Sequence, residues 1–254
     1  MAKLPSAIIL LLVTSSFAYA QQPRKDITGD YLLKTQWGDS EPYNKFAPGK
    51  NSLGCHSVAI AQICCYHQLA PFGKVQYRCS KGYVFHEDFS THHFNWDLFV
   101  EKLNGSTKNQ DIDETARYMY DLSAIIEKDF GTDQYIKCDD QHKSQVESHF
   151  QCIYDCRMKA LDAFSPDVFL EKDGFFSTIK EEIDVKRPLG FYYSNNKDSG
   201  HAVVIDGYVV KDRVFFVHAN FGWKGKSDGW YNLLEALPKD VKLVAMVTVQ
   251  PKRQ

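Results

Sequence analysis

The sequence has no apolar run long enough to cross a bilayer. It has no internal repeat, no low-complexity tract and no marked charge imbalance. Its 254 residues carry a formal net charge of −2, which gives no hint of a nucleic-acid partner. The apolar stretch Ala7 to Val13 follows Met1-Ala2-Lys3 and precedes Ala18-Tyr19-Ala20. That is the pattern of a secretory leader with a small-x-small cleavage site. Residues 1–20 are therefore expected to be removed, leaving Gln21 as the mature N-terminus. The loss takes away only Lys3 among charged residues, so −2 becomes −3. The expectation is a secreted, extracellular chain with no membrane anchor.

An even cysteine count is also lacking. Cys55, Cys64, Cys65, Cys79, Cys138, Cys152 and Cys156 make seven, so a secreted chain keeps at least one thiol unpaired. Cys55 is the choice for the free thiol; the other six can form up to three bridges of unspecified pairing. Asn104-Gly105-Ser106 is a glycosylation acceptor in a polar loop.

The stretch from Ser52 to His67 reads as a buried helix. Ser52 is its expected N-cap, placing Leu53, Gly54 and Cys55 in the first turn. From Val58 to Cys65 only Gln62 is clearly polar, and a helix apolar all round is a buried one. A thiol at a helix N-terminus lies where the thiolate is favoured. Gly54 lets another backbone come close to the sulfur. Taken alone, Cys55 is as well explained as a small core residue.

Elsewhere, Leu32 to Trp37 reads as a short ordered arm. Asn95 to Leu103 and Ile112 to Ile126 have helical spacing, the second with Ala116, Met119, Tyr120, Leu122 and Ser123 on one face. Asp129 to Gln151 is polar and irregular. Phe175 to Ile183 is an amphipathic helix with Phe176, Ile179 and Ile183 inward and Glu181, Glu182 and Asp184 solvated. From Pro188 the period changes to that of strands: Leu189 to Tyr193, His201 to Val210, Arg213 to Asn220, Trp230 to Leu233 and Leu243 to Val249. Helices followed by an antiparallel sheet make an α+β chain.

Thiol catalysis needs a base within hydrogen-bond reach and a group that orients the base. His201 opens a strand 146 residues after Cys55, within the roughly 130–150 typical of papain-type spacing. A hairpin centred on Lys211-Asp212 puts Gly222 opposite His201, with Asn220 and Trp223 within two positions. Asn220 could fix the imidazole tautomer and Trp223 could cover the pair. His218 is expected to be structural, and Asp206-Gly207 to bend the chain after its strand.

Several segments together resemble the streptopain family of papain-like cysteine proteases, peptidase family C10. Gly54-Cys55-His56-Ser57-Val58-Ala59 with Ala61-Gln62-Ile63 and Tyr66-His67 resembles its nucleophile helix. Gly200-His201-Ala202-Val203-Val204-Ile205-Asp206-Gly207 resembles its histidine strand, and His218-Ala219-Asn220-Phe221-Gly222-Trp223 with Ser227-Asp228-Gly229 its Asn-aromatic-Gly-Trp segment. Leu32-Leu33 and Pro42-Tyr43-Asn44 resemble the start of the mature enzyme. The resemblance implies a papain-like fold over residues 21–254, with a helical N-terminal part, a C-terminal antiparallel sheet and an active-site cleft between them. It implies a secreted cysteine endopeptidase acting on proteins or peptides without a cofactor. Cys55 would be the nucleophile and His201 the base, with Asn220 and Trp223 supporting. Asp39, Gly54 and Phe221 would border the oxyanion site or cleft, and Tyr192, Tyr193 and Phe221 are candidates to line a hydrophobic subsite.

Three departures stand out. Phe221 replaces the family's usual Trp. Asp39 replaces Gln in the Trp-x-Gln-x-x-Pro-Tyr-Asn stretch. Only about ten residues separate the leader from the first matching motif, so no prodomain is expected, and restraint would fall to a separate inhibitor, to thiol oxidation at Cys55 or to pH. Two other readings compete: a catalytically weak or inactive binding or toxin-like module on the same fold, and a metal site drawn from Cys64, Cys65, His67, Cys79, His92 and His93.

Overall fold

The computed structural model describes residues 22–133, 135, 156–160, 174–194, 200–239, 241 and 243–251. The leader, Cys138, Cys152, most of the expected irregular stretch to Gln151 and the turn at 195–199 lie outside the described residues.

The apolar segment after Gly54 forms helix α1, Cys55–Tyr66, and Ser57 to Cys64 are all buried. A helix without a polar face needs partners on every side. It finds them in α2, Asn109–Ile125, and in the central sheet. Ala116, Met119, Leu122 and Ser123 of α2 are buried as their spacing predicts. The ribbon β1, Lys74–Arg78, and β2, Val84–Asp88, closes this half, with Val75 and Tyr77 turned inward. The stretch from Asn95 to Leu103 is not a helix. It holds one 3-10 turn at Trp96–Leu98. Its apolar spacing serves an aromatic cluster instead, with Phe94, Trp96 and Phe99 all packed edge-on to Tyr118.

The second half is a six-stranded antiparallel sheet in the order β3-β8-β4-β5-β6-β7. The strands are β3 (Cys156–Ala160), β4 (Leu189–Ser194), β5 (Gly200–Lys211), β6 (Val214–Asn220), β7 (Gly229–Asn232) and β8 (Leu243–Pro251). Helix α3, Phe175–Asp184, covers one face through Phe175, Ile179 and Ile183, and α1 covers the other. Strand β5 is therefore buried on both sides: Ala202 and Val204 join the α1 core, Val203 and Ile205 the α3 core. Burial on both faces explains its continuous apolar run. The chain leaves β7 through a single helical turn, Leu233–Ala236, which cuts the expected strand at Asn232.

Three sequence expectations need correction here. The β5–β6 hairpin turns at Asp212-Arg213, both with positive φ, and closes at Lys211↔Val214. The register then slips between Ile205 and Gly207, so the strand continues through Asp206 as a bulge rather than bending away after it. The bulge faces the Leu32–Trp37 arm: Leu32 N–H donates to the Asp206 carbonyl at 2.9 Å and Leu33 N–H to its carboxylate at 2.9 Å. Glu182 is also not solvated. Arg187 grips it with two bonds of 2.7 and 2.9 Å, and it is buried.

A turn with two consecutive positive φ angles favours glycine at its second position. Arg213→Gly should raise stability by about 0.5–1 kcal/mol, read as a higher urea midpoint at unchanged slope. Arg213→Val should lower the midpoint.

Candidate active site

Cys55 is the first residue of α1, with Gly54 at the N-cap and at φ +81. Ser52 is not the cap. Its hydroxyl donates to Asp39 Oδ2 at 2.5 Å and accepts the Gly54 N–H at 3.1 Å. Leu53 N–H donates to the Asp39 carbonyl at 2.9 Å. Asp39 is thus laced to the segment that leads into the nucleophile. What approaches Gly54 is not backbone. A Cβ there would lie 2.6 Å from the Tyr135 hydroxyl and 3.2 Å from Lys128 Cε.

The sulfur faces the start of β5. Strand β6 stops at Asn220 opposite Val204, so it does not pair with residues 200–203 of β5. The Ala202 backbone on that stretch favours the Cys55 thiolate. The preceding residue is His201, 7% exposed. Its ring stacks on Trp223 at 4.6 Å and 29°, has Phe221 at 5.9 Å and meets Tyr193 edge-on at 6.1 Å. Its Nε2 lies 3.0 Å from the Phe221 carbonyl oxygen. A carbonyl only accepts, so Nε2 carries the proton and Nδ1 is the basic nitrogen.

Asn220 therefore does not hold the ring. Its Oδ1 accepts from Gln62 Nε2 at 3.0 Å and from Gly222 N–H at 3.0 Å. Its Nδ2 donates to the Thr35 carbonyl at 2.6 Å and to Gln62 Oε1 at 3.2 Å. Gln62 Oε1 also accepts the Trp37 N–H at 3.3 Å. The one polar residue in the middle of α1 is a junction between helix, arm and the turn that carries Phe221. Gly222, at φ +69, lets that turn press on Val58.

Sequence reading missed His56 and Lys128 as neighbours of the thiol. His56 Nδ1 lies 4.0 Å from Cys55 Sγ, with its ring between Tyr135 and Tyr192. Adjacency to Cys55 was its only signal. Tyr193 and Phe221 share an apolar cavity with Val203, Ala219 and Tyr231, and Tyr192 stands apart on His56. His218 Nδ1 donates to Asp206 Oδ1 at 2.7 Å and its ring stacks on Tyr31 at 3.9 Å, on the far side of the bulge from the thiol's strand edge.

Burial dominates the ionisation of the pair. It pushes the Cys55 thiol up, opposed by N–H groups from Ala202, His56 and Cys55 itself and reinforced by the Asp39 charge. It pulls His201 down to about 4, opposed by the Phe221 carbonyl and Asp39. His56 is likewise pulled down to about 4 by burial and then by His201 and Lys128.

Cys55, Cys65 and Cys79 are free thiols. With Cys65 and Cys79 among the free thiols, the six cysteines other than Cys55 cannot form three bridges. The metal alternative is not assembled: among the described residues no group of three or more His, Cys, Asp or Glu side chains converges. Cys79 bonds the Lys128 carbonyl and the Phe130 N–H, and His92 bonds Asp121. Asn104 lies in an exposed turn. No described helix is long and apolar enough to cross a membrane.

A family profile described as the peptidase C10 family matches residues 37–231. Streptopain of Streptococcus pyogenes serotype M28 (strain MGAS6180) is 26% identical over 220 residues, 78% of this chain and 53% of its own length. Streptopain of Streptococcus pyogenes serotype M1 gives the same 26%, 78% and 53%. The chain thus spans about half the length of the curated relatives it matches. Among solved structures, active wild-type interpain A, a cysteine protease of Prevotella intermedia, has a TM-score of 0.68 at 21% identity, covering 86% of this chain and 93% of that one. A prointerpain A fragment from the same organism has a TM-score of 0.66 at 20% identity, covering 90% and 75%. The fold is that of the papain-like α+β proteases.

The Gln62 junction has a measurable consequence. Gln62→Leu strands the buried Trp37 N–H and breaks the amide pair with Asn220. It should cost about 2–3 kcal/mol in thermal or urea unfolding. A loss under about 1 kcal/mol would mean the junction does not tie the elements together.

Proposed function

The chain belongs to the peptidase C10 family, and on that premise we propose that it is a secreted cysteine endopeptidase acting through Cys55 and His201. The observation that carries this is the tethering of His201 Nε2 to the Phe221 carbonyl. It leaves Nδ1 as a base on the strand whose next residue, Ala202, favours the Cys55 thiolate through its backbone.

The chemistry follows from these atoms. The Cys55 thiol gives its proton to His201 Nδ1, and the sulfur attacks the peptide carbonyl. The Cys55 N–H at the N-terminal pole of α1 donates to the developing oxyanion. The C–N bond breaks as His201 protonates the leaving amine. Water, deprotonated by His201, then attacks the acyl-thioester and releases the acid and the thiol. Trp223 shields the imidazole. No cofactor enters. The leader at residues 1–20 supports export, and protein or peptide substrates follow from the reaction; a separate inhibitor is the proposed restraint.

One set of observations favours a second reading, a catalytically weak or inactive binding module. Burial raises the thiol and depresses the imidazole, and a carboxylate at position 39 repels an oxyanion.

Peptide or casein cleavage by residues 21–254 in reductant separates the two readings. Cys55→Ala and His201→Ala should each lower kcat/KM by about three orders of magnitude or more with the fold retained. Wild-type activity in either variant would remove that residue from the mechanism, and no activity in the parent chain would favour the binding module.

Asp39 also sets the pH response. Its charge raises both the thiol and the imidazole, so Asp39→Gln lowers both. Thiolate then forms at lower pH, and the repulsion on the oxyanion is gone. Turnover near neutrality should rise, and the rising limb of kcat/KM should move to lower pH. An unchanged pH–rate profile would place Asp39 outside the reaction.

A further inference from the structure

One buried charge has no part in the reaction above. Lys128 lies beyond the end of α2, paired with Tyr135 in an isolated antiparallel bridge. Its side chain is fully buried. It runs to the start of α1: Cε and Nζ lie 3.2 and 3.5 Å from where a side chain on Gly54 would begin. The ammonium donates to the Thr132 carbonyl and lies 4.8 Å from the centre of the Tyr135 ring. Tyr135 completes the enclosure, its hydroxyl accepting the Ser57 N–H at 3.2 Å.

This is an unfavourable place for a cation. Burying an ammonium costs several kcal/mol, and the N-terminal pole of a helix is already positive. Asp133 and Asp129 offset part of this cost, a further anion at that pole would offset more, and Cys55 is a group there that can become one. We propose that Lys128 is a positioning residue for the nucleophile's charge: a fixed cation beside Gly54 that stabilises the Cys55 thiolate. The inference rests on the nucleophile assignment made above.

The electrostatics of the neighbours agree. Burial pulls the Lys128 ammonium down, and Asp133, the Cys55 thiolate, Asp129 and Cys79 push it back up. Burial, then His201 and Lys128, hold His56 down, so this imidazole 4.0 Å from the sulfur stays neutral near pH 7 and adds no charge of its own. The groups that face Cys55 are then His56 on α1, His201 on β5, Tyr193 on β4, Asp39 before the helix and Lys128. Asp39 opposes the thiolate. Lys128 supports it whether or not His201 is protonated.

The test measures thiolate and not turnover. Cys55 in the parent chain and in Lys128→Met is alkylated with iodoacetamide, a neutral reagent, from pH 4 to 10, and its modification followed by peptide mass. Lys128→Met should move the inflection up by about one pH unit, with a roughly tenfold slower rate at pH 7. Superimposable profiles in a folded variant would overturn the proposal, since a purely structural lysine leaves the inflection in place. If Lys128→Met does not fold, the coupling is read in reverse, because linkage is reciprocal. Lys128 is followed by carbon-13 resonance of labelled lysine in the parent chain and in Cys55→Ser. Its titration should fall to lower pH when the thiolate is removed, and an unchanged titration would overturn the proposal. An alkylation shift in a chain that cleaves no peptide would uphold the lysine's role while removing the endopeptidase reading.

Discussion

The reciprocal amide pair between Gln62 and Asn220 is the constraint on which the site depends. It joins residues 158 positions apart with bonds of 3.0 and 3.2 Å in a fully buried setting. Each amide spends its remaining capacity locally. Gln62 takes the Trp37 N–H; Asn220 takes the Gly222 N–H and gives to Thr35. Arm, nucleophile helix and the Phe221 turn are thereby held in one frame. The carbonyl that fixes the His201 ring belongs to the residue after Asn220, so the imidazole is oriented through the backbone of a turn that α1 itself anchors.

A second constraint acts behind the sheet. The bulge at Asp206 turns a carboxylate inward, where His218 at 2.7 Å and the Leu33 N–H at 2.9 Å satisfy it. Past the slip of register at the bulge the ladder runs on for two pairs, Ile205↔Ala219 and Val204↔Asn220, and ends there. The edge of β5 that carries His201 and Ala202 is left to the thiol. Buried groups of this kind persist when every member is satisfied.

Burial and ionisation oppose each other at the site. Enclosure by Trp223, Phe221 and Tyr193 excludes water from the imidazole, but the same enclosure penalises both charged forms the reaction passes through. Fixed dipoles offset part of that penalty: the Ala202 and Cys55 N–H groups at the sulfur and the Phe221 carbonyl at the ring. Low dielectric makes each such dipole worth more than it would be in water.

The helix that carries Cys55, the strand that carries His201 and the α+β order were legible because each has a local signature. Those signatures are a polar interruption in an apolar run, a period that changes from helix to strand, and a small-residue turn. The family motifs lie on the same elements. Tertiary structure alone decided the rest. The ring is held by a backbone carbonyl, and every residue has one, so no residue type marks it. The hairpin register depended on a bulge stabilised by an arm 173 positions away. Glu182 looked solvated by helical spacing and is buried because Arg187 folds back on it. Asn95 to Leu103 has helical spacing yet forms one turn, since its aromatics follow the shape of Tyr118 rather than a period. Lys128 reaches the thiol's helix from a bridge with Tyr135, through contacts that no local pattern records. Periodicity reports what a residue's own element needs, and long-range hydrogen bonds and buried charges are settled only when the elements meet.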